Sequence, residues 1–315
     1  MNNYRHSFLA ISHRKKLKCE RFLDTMSKVI PWQKFIEVIE PYYKEKQRGR
    51  KKTDLLLLLK IYFLQQWYNL SDPGAEEAIY DRNSFQKFLG IDLLADTVPD
   101  ETTILKFRHK LEENDLQEKL FVEASSYLEE EGLLLKEGTI ADATIIAAPS
   151  STKNKNKRRD EEMSSTKKGN NYHFGMKMHI GVDHKSGIVH SVVGSTAKEH
   201  DKNHLEDVLH GEEQVIGGDK GYYDEEQKRE CRKEGIIYAV LDKGKRNHPL
   251  SNKQKKRNKK LSRVRGKVEF PFHIVKTLWG HVKTRYRGLK KNIKQWTTLL
   301  MLSNLYRVRS KLMAA

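Results

Sequence analysis

Three acids in this sequence sit where a carboxylate needs a partner. Asp142 interrupts the apolar run Thr139-Ile-Ala-Asp-Ala-Thr-Ile-Ile, and burying a lone carboxylate is costly unless it is paired or binds a cation. Asp219 lies in Gly217-Gly-Asp-Lys-Gly-Tyr-Tyr, where glycines allow a sharp turn and a close approach of backbone and ligand. Glu269 is the one acid among 22 Lys and Arg between Lys243 and Ala315. Oxygen ligands without cysteine suit Mg²⁺ or Mn²⁺. Three carboxylates can hold two such ions roughly 4 Å apart, one activating an attacking oxygen and one stabilising a leaving oxygen. Phosphodiester cleavage at neutral pH calls for that arrangement, because its transition state gathers negative charge. Spacing alone leaves Asp183, Asp201 and Asp242, also at strand or helix ends, open as alternatives.

The charge map points to the same kind of substrate. The net charge is +18, but Met1–Ala141 carries 22 basic against 23 acidic residues and Asp142–Asp242 carries 16 against 18. The whole excess therefore falls after Asp242. Neutralising phosphates releases counterions, so a polyanion is the simplest partner for such a region. Cys19 and Cys231 are far apart and form no CxxC, which argues against a disulfide framework and for a reducing cytoplasm. The most apolar stretch, around Leu55–Leu64, is well short of the roughly 20 residues that span a bilayer, and no secretory signal is visible. The expectation is a cytoplasmic, nucleoid-associated protein. None of the 13 histidines forms an HExxH or a close pair, so none is assigned to a metal.

The elements that must position these acids divide the chain in two. Residues 1–135 read as an all-helical N-terminal domain. Its centre is Asp54–Tyr68, apolar on nearly every face and therefore buried, with Thr53 as a possible N-cap and Ser71-Asp-Pro-Gly as the turn that ends it. Helices are expected at Ala75–Leu89, at Thr102–Glu113 (capped by Asp100 or Thr102) and at Leu116–Glu131. Residues 136–315 read as an α/β domain. It has strands at 138–149, His173–Asp183, Ile188–Ser195, Gln214–Asp219 and Ile236–Asp242, the second and third joined by a hairpin turn at His184–Gly187. Ser150–Asn171 is expected to be a mobile surface loop. Asn203–Leu209, with Asp201 as a possible cap, and Asp224–Glu234 read as helices. Lys243–Arg265 is expected to be irregular, its basic stretch Lys253–Arg265 able to track a DNA backbone, followed by helices at Gly266–Lys283 and Lys291–Lys311. Trp279, Tyr286 and Trp296 are spaced like core residues. Strands with short turns, then strands alternating with helices, make a mixed sheet covered by helices. In such a sheet, acids at strand ends collect at one edge.

These residues resemble a known family over most of the chain. Leu64-Gln-Gln-Trp-Tyr-Asn-Leu-Ser-Asp, Phe85-Gln-Lys-Phe-Leu-Gly and Pro99-Asp-Glu-Thr-Thr-Ile-Leu-Lys-Phe-Arg look like the helical N-terminal domain of bacterial insertion-sequence transposases with an Asp-Asp-Glu triad, nearest the insertion-sequence-five group. Ala141-Asp-Ala-Thr and Gly218-Asp-Lys-Gly-Tyr resemble the segments carrying the two catalytic aspartates. Arg265-Gly-Lys-Val-Glu-Phe-Pro-Phe-His-Ile-Val-Lys resembles the signature in which Arg precedes the glutamate by four and Lys follows by seven. Tyr286-Arg-Gly-Leu-Lys-Lys-Asn-Ile and Leu302-Ser-Asn-Leu complete the match. A Tyr often found three residues before that Arg is Ser262 here.

The resemblance implies a ribonuclease H-like catalytic core preceded by the helical domain. It selects Asp142 over Asp183, so that Asp142, Asp219 and Glu269 are the catalytic residues and the ligands of two Mg²⁺ or Mn²⁺ ions. It also implies cleavage at the ends of a transposable element, strand transfer into target DNA, and a homodimer holding two ends. Arg265 and Lys276, on the face that Glu269 would share if helical, are expected to contact phosphates. Arg263, Lys267, Arg285 and Arg287 complete the expected DNA-binding set, and the partners are terminal inverted repeats and target DNA. Two other readings use the same residues: a metal-dependent nuclease that cuts without joining, and a DNA-binding relative without catalysis.

Overall fold

The computed structural model describes residues 15–43, 52–155, 157–244 and 248–314. Seven helices come first: α1 (Lys18–Val29), α2 (Trp32–Ile39), α3 (Leu55–Tyr68), α4 (Asp72–Asp81), α5 (Asn83–Leu89), α6 (Glu101–Glu113) and α7 (Leu116–Glu130). The apolar α3 is buried on nearly all sides and forms the centre of this layer. Its N-cap is Asp54, not Thr53: the Asp54 carboxylate accepts from the Leu57 N–H at 2.7 Å. It ends at Asn69 in the left-handed region, φ 50°. Ser71 does not simply close a turn, since its hydroxyl caps α4 by accepting from the Gly74 N–H. The helix expected over Ala75–Leu89 is two helices, broken where Arg82 takes an extended conformation. At α6 the cap is Asp100, accepting from Thr103 N–H at 2.7 Å.

A six-stranded mixed sheet follows, built from β1 (Gly138–Ala147), β2 (Ser164–Lys168), β3 (Asn171–Asp183), β4 (Val189–Thr196), β5 (Val215–Gly218) and β6 (Ile237–Val240). β3 pairs antiparallel with β1 on one side, and with β2 and β4 on the other. β1, β5 and β6 run parallel, with α8 (Glu225–Lys233) between the last two. β2 lies inside the segment expected to be a mobile loop. Its side chains are polar, but it is an edge strand whose backbone alone joins the ladder to β3. Between β4 and β5 the short helix read at Asn203–Leu209 is two single 3₁₀ turns.

The largest departure from the sequence reading is α9 (Asn252–His273), which begins within the stretch expected to be irregular. Ser251 and Gln254 form a reciprocal capping box, with Ser251 Oγ accepting from Gln254 N–H and Gln254 Oε1 accepting from Ser251 N–H at 2.9 Å. That Ser-x-x-Gln signature outweighs the repulsion among the helix's cations. The helix expected to reach Lys283 instead passes into a π-turn, Ile274–Leu278, and stops at Gly280. Lys283 then bridges to Ala147 at the end of β1.

α10 (Leu289–Leu312) joins the helical layer to the sheet, packing on α7, α1 and α3 and on β4 and β3. Its polar side chains are buried but satisfied. Asn304 both accepts from and donates to the Val189 backbone, at 2.9 and 2.7 Å, and Lys294 pairs with Asp115. One apolar cluster runs from the helices through α10 to one face of the sheet, and a smaller one on the opposite face includes Ala141, Ile216, Tyr222 and Tyr238. Trp296 is 1% exposed in the first of these. Trp296→Ala is expected to lower the unfolding free energy by about 3–5 kcal/mol, read as a shift of the urea midpoint at unchanged slope. Both cysteines are free, and no helix among the described residues is long and apolar enough to cross a membrane.

Candidate catalytic site

Asp142 sits midway along β1, the strand flanked by both β3 and β5. Ile140 pairs with Gly217 in the parallel register. Two residues further along each chain are Asp142, still within β1, and Asp219, just past the end of β5, and Asp219 is near enough to raise the Asp142 carboxyl. Asp219 follows the last residue of β5 and caps a 3₁₀ turn, its Oδ1 accepting from Gly221 N–H at 2.7 Å. A Cβ at position 221 would stand 2.9 Å from that oxygen. The glycine is therefore required by the carboxylate it holds. Gly221→Ala is expected to leave the fold intact, by circular dichroism, while displacing Asp219 enough to slow any reaction at this site by roughly 10–100-fold.

Burial pushes the Asp142 carboxyl up to about 6; the Arg265 guanidinium and the Ala143 N–H pull it down, and Asp219 and Asp201 push it up. Arg265 spans two of the three acids, with Nη1 3.4 Å from Asp142 Oδ2 and Nη2 3.0 Å from Glu269 Oε1. Glu269 lies within α9, not at its start, and its side chain is 62% exposed. Among the described residues no three His, Cys, Asp or Glu side chains converge closely enough to hold a metal ion. The structure thus sets Asp219 near enough to influence Asp142 and links Glu269 to Asp142 through Arg265.

One neighbour was missed in the sequence. The Tyr222 hydroxyl is buried, has no hydrogen-bond partner among the described residues, and is held far from ionisation by burial and by Asp201, Asp142 and Asp219. A buried phenol without a partner is uncommon, and this one lies within the electrostatic reach of three acids. Only its place in Gly-Tyr-Tyr directly after Asp219 signalled it. Asp201 also belongs to this neighbourhood. It is not a helix cap but the ion-pair partner of Lys177, at 2.8 Å.

The other competing acids have structural tasks. Asp183 is fully buried and accepts from Lys185 N–H, Ser186 N–H and Ser186 Oγ–H, fixing the hairpin turn. Asp242 is buried against Arg257 (2.8 Å) and Lys228 (3.2 Å). His179 donates to or accepts from Ser195 and stacks on His204, and burial holds its imidazole down at about 4, hence neutral.

The basic residues expected to meet DNA fall into two groups. Lys276 lies in the π-turn and donates to Thr144 Oγ1 and Ile145 O, both at 2.6 Å, on the strand that carries Asp142. Burial, with a smaller push from Lys168, lowers it to about 8. Lys267 donates to the carbonyls of His184 and Lys185 and anchors α9 to the β3–β4 turn. Arg263 and Arg287 are exposed and have no ion-pair partner among the described residues, while Arg285 donates to Asn69 Oδ1 at 3.0 Å.

Residues 134–305, more than half of the chain, match the family model described as a transposase DDE domain. Residues 11–110 match a second, described as a transposase domain (DUF772). No solved structure matches the chain.

Proposed function

Because the chain belongs to the transposases with a DDE domain, we propose that it cuts DNA at the ends of an insertion sequence and joins the freed ends to target DNA, using Asp142, Asp219 and Glu269. The observation that supports this assignment is the parallel register of β1 and β5, in which Ile140 pairs with Gly217 two residues before Asp142 and Asp219, together with the influence of Asp219 on the Asp142 carboxyl. An all-oxygen donor set, one member of which burial has made reluctant to ionise without a cation, fits Mg²⁺ or Mn²⁺. When bound, such ions supply Lewis acidity to the phosphate and a lowered pKa to an attacking hydroxyl.

The chain's own residues do the rest. Asp142 offers its carboxylate from within β1, and Asp219 from the turn just past β5, where the Gly221 N–H holds it. Glu269 is the mobile partner. Its exposed side chain meets Arg265, and Glu269 would join Asp142 and Asp219 in holding the metal, leaving Arg265 to bind a phosphate oxygen of the strand being cut. Lys276 clamps the π-turn to β1 two residues beyond Asp142, and so keeps α9 in register with the acids. The exposed face of α9, with Lys253, Lys255, Lys256, Lys259, Lys260 and Arg263, offers a row of cations to DNA. The strand order supports a ribonuclease H-like core, residues 1–135 are assigned to recognition of the terminal repeats, and the resemblance to the insertion-sequence-five group supports a dimer that pairs two ends.

The test combines purified protein, Mg²⁺ and a DNA carrying the repeats that flank the coding region. Nicks at the repeat ends and joined products are expected, and both should vanish in Asp142→Ala. Nicks without joined product would convert the reading to that of a nuclease. No nicking, or equal nicking by the variant, would overturn it.

A further inference from the structure

A pocket of about 370 Å³ opens between the segment that follows β1 and the segment that precedes α10. Lys155, Arg158 and Arg159 line it from the first side, Arg285, Tyr286 and Arg287 from the second. Its walls are fixed by backbone contacts. Thr284 N–H donates to Ala147 O at 2.8 Å, Gly288 N–H to Asp160 Oδ2 at 2.7 Å and Leu289 N–H to Glu162 Oε2 at 2.8 Å. The buried Asn292 side chain accepts from Arg285 and Tyr286 N–H and donates to Tyr286 and Gly288 O. The Tyr286 ring is held from behind by the buried Arg108, 4.8 Å from its centroid.

Five basic residues thus line one space, of which Arg285 also donates to Asn69 and Arg159 lies over the Phe174 ring. The single acid in the lining, Asp160, is committed to backbone amides: its second oxygen accepts from Glu162 N–H. Arg158 has only a 3.5 Å contact to Glu161, with both side chains about three-quarters exposed, which is worth little in water. Lys155 and Arg287 have no acidic partner among the described residues. Like charges gathered on rigid walls repel one another unless an anion joins them, and guanidinium groups match phosphate oxygens in pairs.

We propose that this pocket is a second DNA-backbone site, which grips phosphates of the duplex flanking the scissile one. The proposal rests on the reading of the chain as a DNA-cutting enzyme. β1 sets the distance. Five residues separate Asp142 from Ala147 at the pocket's edge, about 17 Å at ~3.3 Å per residue, or about five nucleotide steps at ~3.4 Å along the axis per strand. Five steps are about half a turn of the duplex and carry that strand to its far side, so a duplex lying along β1 with one phosphate at the acids would present to these arginines a phosphate of the complementary strand. The contact reads no bases, so it sets how far the duplex is pushed into the site, whatever its sequence.

The test is fluorescence anisotropy of a labelled duplex against salt, for wild type and for the combined Arg158→Ala, Arg159→Ala, Arg287→Ala variant, without divalent ions. Loss of about three phosphate contacts should reduce the slope of log K against log salt by about 2–3. The same three positions changed to lysine should restore most of it, which a folding defect would not do. An unchanged slope in the alanine variant would overturn the proposal. So would displacement of the duplex from wild type, but not from the variant, by millimolar inorganic phosphate or a mononucleotide, because the pocket would then be a small-anion site. Asp142→Asn separates the two readings. It should keep the wild-type slope while losing cleavage, and a failure of wild type to cleave would sink the enzymatic reading without touching the slope.

Discussion

Asp142→Asn is expected to abolish DNA cleavage and, in metal-free buffer, to make the protein more stable than wild type. The two effects share one cause. The Asp142 carboxyl is raised to about 6 by burial, with Asp219 and Asp201 adding to the push, against about 3.9 in an unfolded chain. Between those values the folded protein holds a proton that the unfolded chain has lost, so the unfolding free energy falls as pH rises from about 4 to about 6. Above 6 the full cost is present, about 2–3 kcal/mol at ~1.4 kcal/mol per pH unit. Asparagine carries no charge and escapes that cost, so at pH 7.5 the variant should unfold at higher urea than wild type, and the difference should close below about pH 4. Cleavage should fall by about 10³-fold or more, because several kcal/mol of transition-state stabilisation leave with the carboxylate. A divalent ion should then stabilise wild type and not the variant. If wild type is the more stable protein at pH 7.5 in the presence of chelator, the strain assigned to Asp142 is not there.

How much of this site was legible beforehand differs from residue to residue. Glu269 stood out through charge alone, and the glycines around Asp219 announced a strand end with a tight turn. The Gly221–Asp219 hydrogen bond gives that reading an atomic reason. Asp142 and Asp183 were indistinguishable by spacing, because both end or interrupt apolar strands. What separates them in the structure is partnership: Asp183 has its own hairpin amides, whereas Asp142 has one backbone N–H and a borrowed guanidinium. Such partners come from α9, which starts 110 positions later at Asn252, and no local pattern could reveal them. The fold shows the same limit. The apolar segments, such as Asp54–Tyr68 and the strands at His173–Asp183 and Gln214–Asp219, were placed well, since burial follows periodicity, whereas α1 and α2 were expected only as part of an all-helical region. The basic stretch before Arg265 was misread because composition was weighed above the Ser251–Gln254 capping box. β2 was missed because an exposed edge strand of Ser, Thr and Lys carries no apolar alternation at all. The expectation that Lys276 would point to DNA assumed an unbroken helix. The π-turn at Ile274–Leu278 instead directs its ammonium to Thr144 and Ile145.

Arg265→Ala is expected to act in opposite directions on two measurements, tightening the binding of a divalent ion while slowing the cutting of DNA. The guanidinium touches Asp142 and Glu269 at once, two of the three acids that would hold metal under the proposed mechanism. An incoming Mn²⁺ has to displace it, so removing the competitor should tighten Mn²⁺ about tenfold in calorimetric titration, equivalent to about 1.4 kcal/mol. The pH dependence follows from the same contact. Arg265 is the chief influence lowering the Asp142 carboxyl, so without it that group rises further above 6 and protons compete harder with the metal. The gain should therefore be full near pH 8 and shrink toward pH 6. Cleavage responds to the other half of the exchange. Under the proposal Arg265 would bind a phosphate oxygen of the strand being cut, and its loss should slow cleavage by about 10–100-fold, lowering kcat and kcat/KM together as the loss of a contact made only in the transition state does. If the alanine variant binds Mn²⁺ no better than wild type at pH 8, Arg265 is not holding the place of the metal. Its bridge between Asp142 and Glu269 would then be a structural one, with Glu269 free of any need to move.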